Sequence, residues 1–351
     1  MVVEAPGHPP LLLFPDADLD DDSRTHAEPS VAYPGYRVFH EDVVVEVVDP
    51  MEGEDARDVT VKRFPVWGDA EDLLAILDVE ALGDGRFRGP VRGYNGRRPV
   101  VEGSQILGQT VVAAGRHRPG TRVVSAHMVF FRAADARRPL DVRIEELHGG
   151  RTFTTVAARV HQDGRSCAAG TLLLDVTADD VVRHAAPAPA VPGPYDSEPY
   201  DMAVTGRDLR VVDGAYTGDP DAPAGPPVLD TWVRFRRMAD DAPLHAGLLA
   251  QFTGHMPIAA ALRPHPGVGQ DEAHRTMSTA INAIALSFHA DVRADRWMLY
   301  HHESTFAGDG MTHAECRVHD EGGRLLASFT VDAMVRPFAP GAPAMDERTA
   351  L

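Results

Sequence analysis

The chain states one pattern twice. Arg159-Val160-His161, a polar turn, Gly164-Arg165 and an apolar run ending Leu174-Asp175-Val176 form one copy. Arg317-Val318-His319, a turn, Gly323-Arg324 and an apolar run ending Val331-Asp332-Ala333-Met334 form the other. Upstream, Phe130-Phe131-Arg132-Ala133 matches Ser287-Phe288-His289-Ala290 at nearly the same offset. Two segments related by one spacing, roughly 157–158 positions, point to a duplicated domain. A duplicated unit of that length puts a pseudo-twofold axis through the molecule, and binding sites in such folds tend to lie between the copies. A chain of 351 residues with 44% hydrophobic content has enough material for two ordinary cores.

Each copy reads as one long helix followed by four antiparallel strands, an α+β arrangement. In the first, 70–77 is a short helix and 86–91 a strand. Glu102 to Ala114 spaces its apolar residues (Ile106, Leu107, Val111, Val112) as an amphipathic helix does. Runs at 123–132, 140–148, 152–162 and 167–176 then read as strands between Gly-, Asp- and Pro-rich turns. In the second, 209–212 and 229–236 are strands, 245–262 is one helix, and 278–289, 297–303, 311–319 and 325–337 are strands. The expected division is 1–66 an extension, partly irregular over 9–34, with strands at 43–48 and 59–67; 67–178 the first unit; 179–200 a stiff Pro/Ala linker; 201–340 the second unit; 341–351 a tail.

The net charge of -18 argues against nucleic acid and anionic membrane surfaces as partners. No apolar run reaches the roughly 20 residues of a membrane helix. Met1 to Pro10 lacks the basic-then-apolar order of a secretory signal. The expected setting is therefore the cytoplasm, and Cys167 and Cys316, in late strands of the two copies, are expected to be buried free thiols. Cysteine and histidine spacing offers no metal site, no phosphate-binding glycine loop or Gly-x-Ser-x-Gly elbow is present, and no cofactor is expected.

The chain resembles the acyl-CoA thioesterase II (TesB-like) family, whose members are double hotdogs. The resembling residues are Phe87-Arg88-Gly89, Glu102 to Gln109, Ser125 to Arg132, Gly150 to Phe153, Leu262 to His265, Ser287 to His289, Trp297 to Tyr300, Glu303-Ser304 and Leu326 to Ser328. The resemblance implies two tandem hotdogs, each a curved antiparallel sheet wrapped round a helix, and hydrolysis of an acyl-CoA thioester by water without a covalent intermediate. In the family an Asp, a Thr and a Gln hold that water, and a helix N-terminus faces the developing oxyanion. Carried over without gaps, these three positions fall on Gly254, Ile281 and Val331, none of which can do that work. One residue later in each case stand His255, Asn282 and Asp332. A one-residue slip turns a side chain to the opposite face unless a bulge intervenes.

The expected site is therefore substituted: Asp332 or His255 as general base, with Asn282 orienting the water. Gly103, Ser104, Gln105, Arg132 and Arg263 are the expected substrate-binding residues, the glycines at 103 and 108 letting backbone approach a ligand. Arg137 and Arg138 join Arg132 and Arg263 as candidates for an anionic nucleotide. The partner would be an acyl-CoA or acyl-carrier thioester, and a homo-oligomer is possible. Two alternatives stay open. Asp240, Pro243 and His245 partly fit a hotdog hydratase motif, which would make the protein a thioester-processing dehydratase or hydratase, or another tailoring enzyme; the same residues also read as a helix start, with Asp240 or Asp241 as N-cap. The other alternative is an acyl-thioester-binding protein without catalysis.

Overall fold

A computed structural model describes residues 70–90, 100–200, 207–216, 221–235, 241–269 and 277–338, together with the backbone of six short strands before residue 64. Those six are β1 (Val2–Val3), β2 (Leu11–Pro15), β3 (Ala27–Pro29), β4 (Tyr36–Phe39), β5 (Val43–Val48) and β6 (Asp58–Arg63). They form a four-stranded sheet, β1-β2-β4-β3, and a β5–β6 pair. The stretch expected to be irregular thus contributes β2 and β3. The tail from 341 lies outside the described residues.

The remaining strands make one antiparallel sheet. The first half supplies β7 (Glu80–Gly83), β8 (Arg86–Gly89), β9 (Arg122–Phe130), β10 (Leu140–Gly149), β11 (Phe153–Gln162) and β12 (Arg165–Asp175). The second supplies β13 (Glu198–Pro199), β14 (Arg207–Val211), β15 (Val228–Phe235), β16 (Met277–Phe288), β17 (Met298–Gly308), β18 (Met311–Asp320) and β19 (Leu325–Pro337). Their order is β13-β14-β15-β17-β18-β19-β16-β9-β12-β11-β10-β8-β7. The halves join where β9 pairs with β16, and His127 faces Ala285 there. Those two residues are separated in sequence by the same interval as Arg159 and Arg317. Equivalent positions of the repeat therefore pair with each other, which is what a twofold axis through that point requires.

Alternation along the strands sets the two faces. In β11, Thr154, Val156, Ala158, Val160 and Gln162 are buried while their neighbours are partly or wholly exposed. The inner faces curl round α1 (Ala70–Leu77), α2 (Gly103–His117), α3 (Ala242–Phe252) and α4 (Pro257–Leu262). From Ile106 to Ala114 every residue of α2 is buried, because the sheet covers one side and α3 the other. Its expected amphipathic stripe is thus wider than a surface helix needs. The two central helices touch at glycines. A Cβ on Gly247 would lie 2.6 Å from Val112 Cγ2, and one on Gly108 would lie 2.8 Å from the Gly247 carbonyl oxygen. Gly108 thus admits the facing helix, not a ligand.

The helix expected over 245–262 is broken. Asp241 caps α3, accepting the Leu244 N–H at 3.2 Å, with Pro243 in the first turn. The helix stops at Phe252, and Pro257 starts α4. Proline has no N–H to donate back and its ring crowds the carbonyl four residues earlier. Between the helices, Thr253 and His255 donate to carbonyls three residues back, those of Ala250 and Phe252. Cys167 and Cys316 are buried free thiols, on β12 and β18, which are not equivalent strands of the repeat. Among the described residues no helix is long and apolar enough to cross a membrane.

Candidate active site

Three segments meet where the first half's central helix begins. One is the α2 start, Glu102 to Ser104. The second is the α3–α4 break, Gly254-His255. The third is Ile281-Asn282 on β16. A Cβ on Gly254 would stand 2.7 Å from Ser104 Oγ and 3.6 Å from Ile281 Cγ1, so residue 254 has glycine's room only and the serine hydroxyl fills the space beyond it. Opposite β19, the register of β16 shifts between Ile281 and Ala283, leaving Asn282 as the extra residue of a bulge. Ser104 Oγ and Asn282 Oδ1 are buried and lack hydrogen-bond partners, while the buried His255 ring lies against the Gln251 and Phe252 backbone.

His255 is packed tightly. Its ring stacks on Phe252, centroids 4.8 Å apart and 14° from parallel. Its Nε2 lies 3.4 Å from a Glu102 carboxylate oxygen and 3.5 Å from Arg207 Nη1. Burial lowers its pKa to about 4, against the opposing pull of Glu102, so the ring is neutral at pH 7. Arg207, from β14, is itself buried, with its guanidinium 5.0 Å from the centre of the Phe252 ring. Desolvation lowers its pKa to about 10, and Glu102 works in the opposite direction. Behind this group, Tyr300 meets Phe252 edge-on at 4.9 Å and donates to the Leu249 carbonyl at 3.1 Å. His302 is also buried and also pushed down to about 4 by desolvation.

The expected residues separate into two groups. Ser104, His255 and Asn282 belong to segments that meet. Asp332 does not join them: it pairs with Ala283 in register, faces outward between buried Val331 and Ala333, is half exposed, and binds His313 Nδ1 at 2.7 Å. The bulge lies on β16 at Asn282, and β19 runs in register around Asp332. Gly103 lies under the Phe130 ring, 3.0 Å from where its Cβ would be, and the Gln105 N–H closes onto the Glu102 carbonyl at 3.1 Å.

The arginine candidates divide likewise. Arg137 and Arg138 both bind Asp135, which the Arg137 hydrogen bonds hold well below the usual carboxylate range, and Arg138 also pairs with Asp163. Arg132 is exposed in the loop after β9. Arg263 donates to the Val228 carbonyl and lines a cavity of about 220 Å³ whose walls include none of Glu102, Ser104, His255 or Asn282. Asp240 lies outside the described residues. His245 Nδ1 accepts the Ala294 N–H at 3.1 Å, which fixes the loop before β17.

Two residues of the cluster carry no signal that sequence reasoning could use. Glu102 stands in a family-like motif but reads only as a helix start. Arg207 has no local mark, since nothing near it in the chain says that β14 faces the α2 N-terminus.

Two models of one family match consecutive parts of the chain. The acyl-CoA thioesterase N-terminal domain matches residues 93–174 and the acyl-CoA thioesterase C-terminal domain matches 179–335. The chain belongs to the TesB-like acyl-CoA thioesterase II family. It is 25% identical to human acyl-coenzyme A thioesterase 8 over 77% of its length and 91% of the relative's. It is 23% identical to Haemophilus influenzae acyl-CoA thioesterase 2 over 76% and 97%. Among solved structures, the acyl-CoA thioesterase II TesB2 of Mycobacterium marinum superposes with a TM-score of 0.64 at 26% identity, covering 76% of this chain and 99% of that one. A tesB protein of Mycobacterium avium subspecies paratuberculosis gives the same TM-score at 23% identity, over 77% and 100%. The fold is a double hotdog, as the family implies.

Proposed function

We propose that this protein hydrolyses an acyl-CoA thioester at the polar cluster where the start of α2, the α3–α4 break and β16 meet. The observation that carries the reading is the pair of buried oxygens without partners, Ser104 Oγ and Asn282 Oδ1, on segments that meet at the α3–α4 break. An unpaired buried polar atom costs about 1–3 kcal/mol. A water donating to Asn282 Oδ1 and a thioester carbonyl accepting from Ser104 Oγ would supply the missing partners. The relatives named above are called acyl-CoA thioesterases, which supports the same class of substrate.

The chemistry needs a place for the carbonyl oxygen and a place for the water. The first N–H groups of a helix have no partners within it and carry partial positive charge, and the start of α2 offers them beside Ser104. Asn282 can orient the water through its amide. Asp332, on the outer face, takes no part. A thioester on a carrier protein presents the same carbonyl, so the two carriers differ only in what binds away from the reacting group.

Thiol release from a panel of acyl-CoAs of increasing chain length tests the reading. Wild type is expected to turn over at least one of them, and Asn282→Ala to lose on the order of 10²-fold or more in kcat, while Asp332→Ala stays near wild type. Release of thiol from none of the panel would sink it.

A further inference from the structure

Glu102 brings a carboxylate to the start of α2, where the three segments meet. It is the residue before the first turn of α2, yet its side chain makes no hydrogen bond to that helix. The side chain is 53% exposed, whereas that of His255 is only 4% exposed. On its buried side, one carboxylate oxygen faces His255 Nε2 at 3.4 Å. Arg207 approaches the same nitrogen at 3.5 Å and attracts the Glu102 charge. Both partners are themselves held by Phe252, one stacked on its ring and one over it. Two residues along, Ser104 presents its unpartnered hydroxyl.

A group that takes a proton from water must be reachable by water and within hydrogen-bond distance of it. His255 is enclosed behind Glu102. Asp332 is reachable but sits on the other face of the sheet. Glu102 meets the first condition, being open to solvent on one side, and its other side faces His255 and Arg207.

We propose that Glu102 is the carboxylate that accepts the proton of the attacking water, with His255 and Arg207 as the positioning residues behind it. This rests on the hydrolase reading above. The water oxygen bonds to the thioester carbonyl carbon as its proton passes to Glu102, and the carbonyl electron pair moves onto oxygen. Collapse of the tetrahedral adduct breaks the C–S bond. The sulfur leaves as thiolate and takes the proton back from Glu102, giving a free thiol and a carboxylic acid, with Glu102 again ionised.

The test measures thiol release from the acyl-CoA that wild type turns over best. Glu102→Gln keeps the shape and loses the basic oxygen, so kcat should fall about 10²–10⁴-fold with KM nearly unchanged. Because that side chain caps nothing, the variant should melt within about 2 °C of wild type. In Glu102→Ala, added formate should restore kcat by roughly tenfold or more, a response that lost packing cannot give. Glu102→Gln within about threefold of wild type, or a loss in Glu102→Ala that formate leaves untouched, overturns the assignment while hydrolysis by wild type leaves the hydrolase reading standing. Absence of thiol release by wild type from every acyl-CoA overturns both.

Discussion

Replacing Gly247 by Ala probes the contact on which the two-half architecture turns. The added methyl would lie 2.6 Å from Val112 Cγ2 and 3.2 Å from the Gly108 carbonyl oxygen. Carbon atoms rest about 3.5–4.0 Å apart, so the helices must separate by roughly 1 Å, and a gap of that size forfeits a quarter to a half of each dispersion contact across it. Overpacking of this kind costs about 1–3 kcal/mol. Against it stands the intrinsic preference of a helix for Ala over Gly, about 1 kcal/mol. The strain outweighs that preference, because the first obstacle is a buried Val side chain in a fully packed helix and the second is backbone. A net loss of up to about 2 kcal/mol is expected, a fall in Tm of up to roughly 3 °C by calorimetry. Val112→Ala removes the obstructing methyl group and by itself costs about 1–3 kcal/mol for the cavity it leaves. In the double variant the new methyl occupies part of that cavity, so the two losses should fall short of additive by about 1 kcal/mol or more. Additive losses, or a single Gly247→Ala protein more stable than wild type, would refute the geometry.

Two further outcomes follow from individual contacts. His255 and His302 are both held near pKa 4 by burial, against about 6.5 in the unfolded chain, which therefore binds more protons between those values. Their contribution is intact above about pH 6.5 and is lost as the pH falls toward 4; Tm measured across that window should decline less steeply in His302→Gln, and a slope parallel to wild type would contradict the assignment. The Trp232 indole N–H donates to the Pro192 carbonyl at 2.9 Å and holds the linker against the cluster of Trp232, Trp297, Leu299 and Val212. Trp232→Phe should cost about 0.5–1.5 kcal/mol and speed proteolysis within 184–194, which limited digestion followed by mass spectrometry would show.

Much of the fold was legible because its signals are local. The strands after residue 120 follow alternation of apolar residues, and their expected limits differ from the observed ones by five residues at most, apart from the two-residue β13, which lies in the expected linker. The repeat announced two units, and the pairing of His127 with Ala285 shows why one spacing recurred. The helix expected over 245–262 is split by Pro257, whose missing N–H ends regular hydrogen bonding there. Asp332 faces away from the expected site because the strand alternates: Phe329, Val331 and Ala333 are buried, which leaves 330 and 332 on the other face. The bulge that justified a slip existed, but on the partner strand.

The candidate site was legible only in part. His255 and Asn282 stand beside the family's carried-over positions and Ser104 lies in the resembling run Glu102 to Gln109, and each needed a buried environment to have meaning. Glu102 lies in the same run but reads there only as a helix start, and Arg207 carries no mark. They stand 105 positions apart, and one begins a helix of the first half while the other begins a strand of the second.

What the sequence determined by itself is the repeat, the α+β order and the inner and outer faces, since these depend on residues a few positions apart along one chain direction. What only the tertiary structure decided is which charges share one space. Desolvation and Coulomb attraction act through distance in space, and no periodicity along the chain brings a first-half carboxylate to a second-half histidine and arginine until the sheet has closed round both helices.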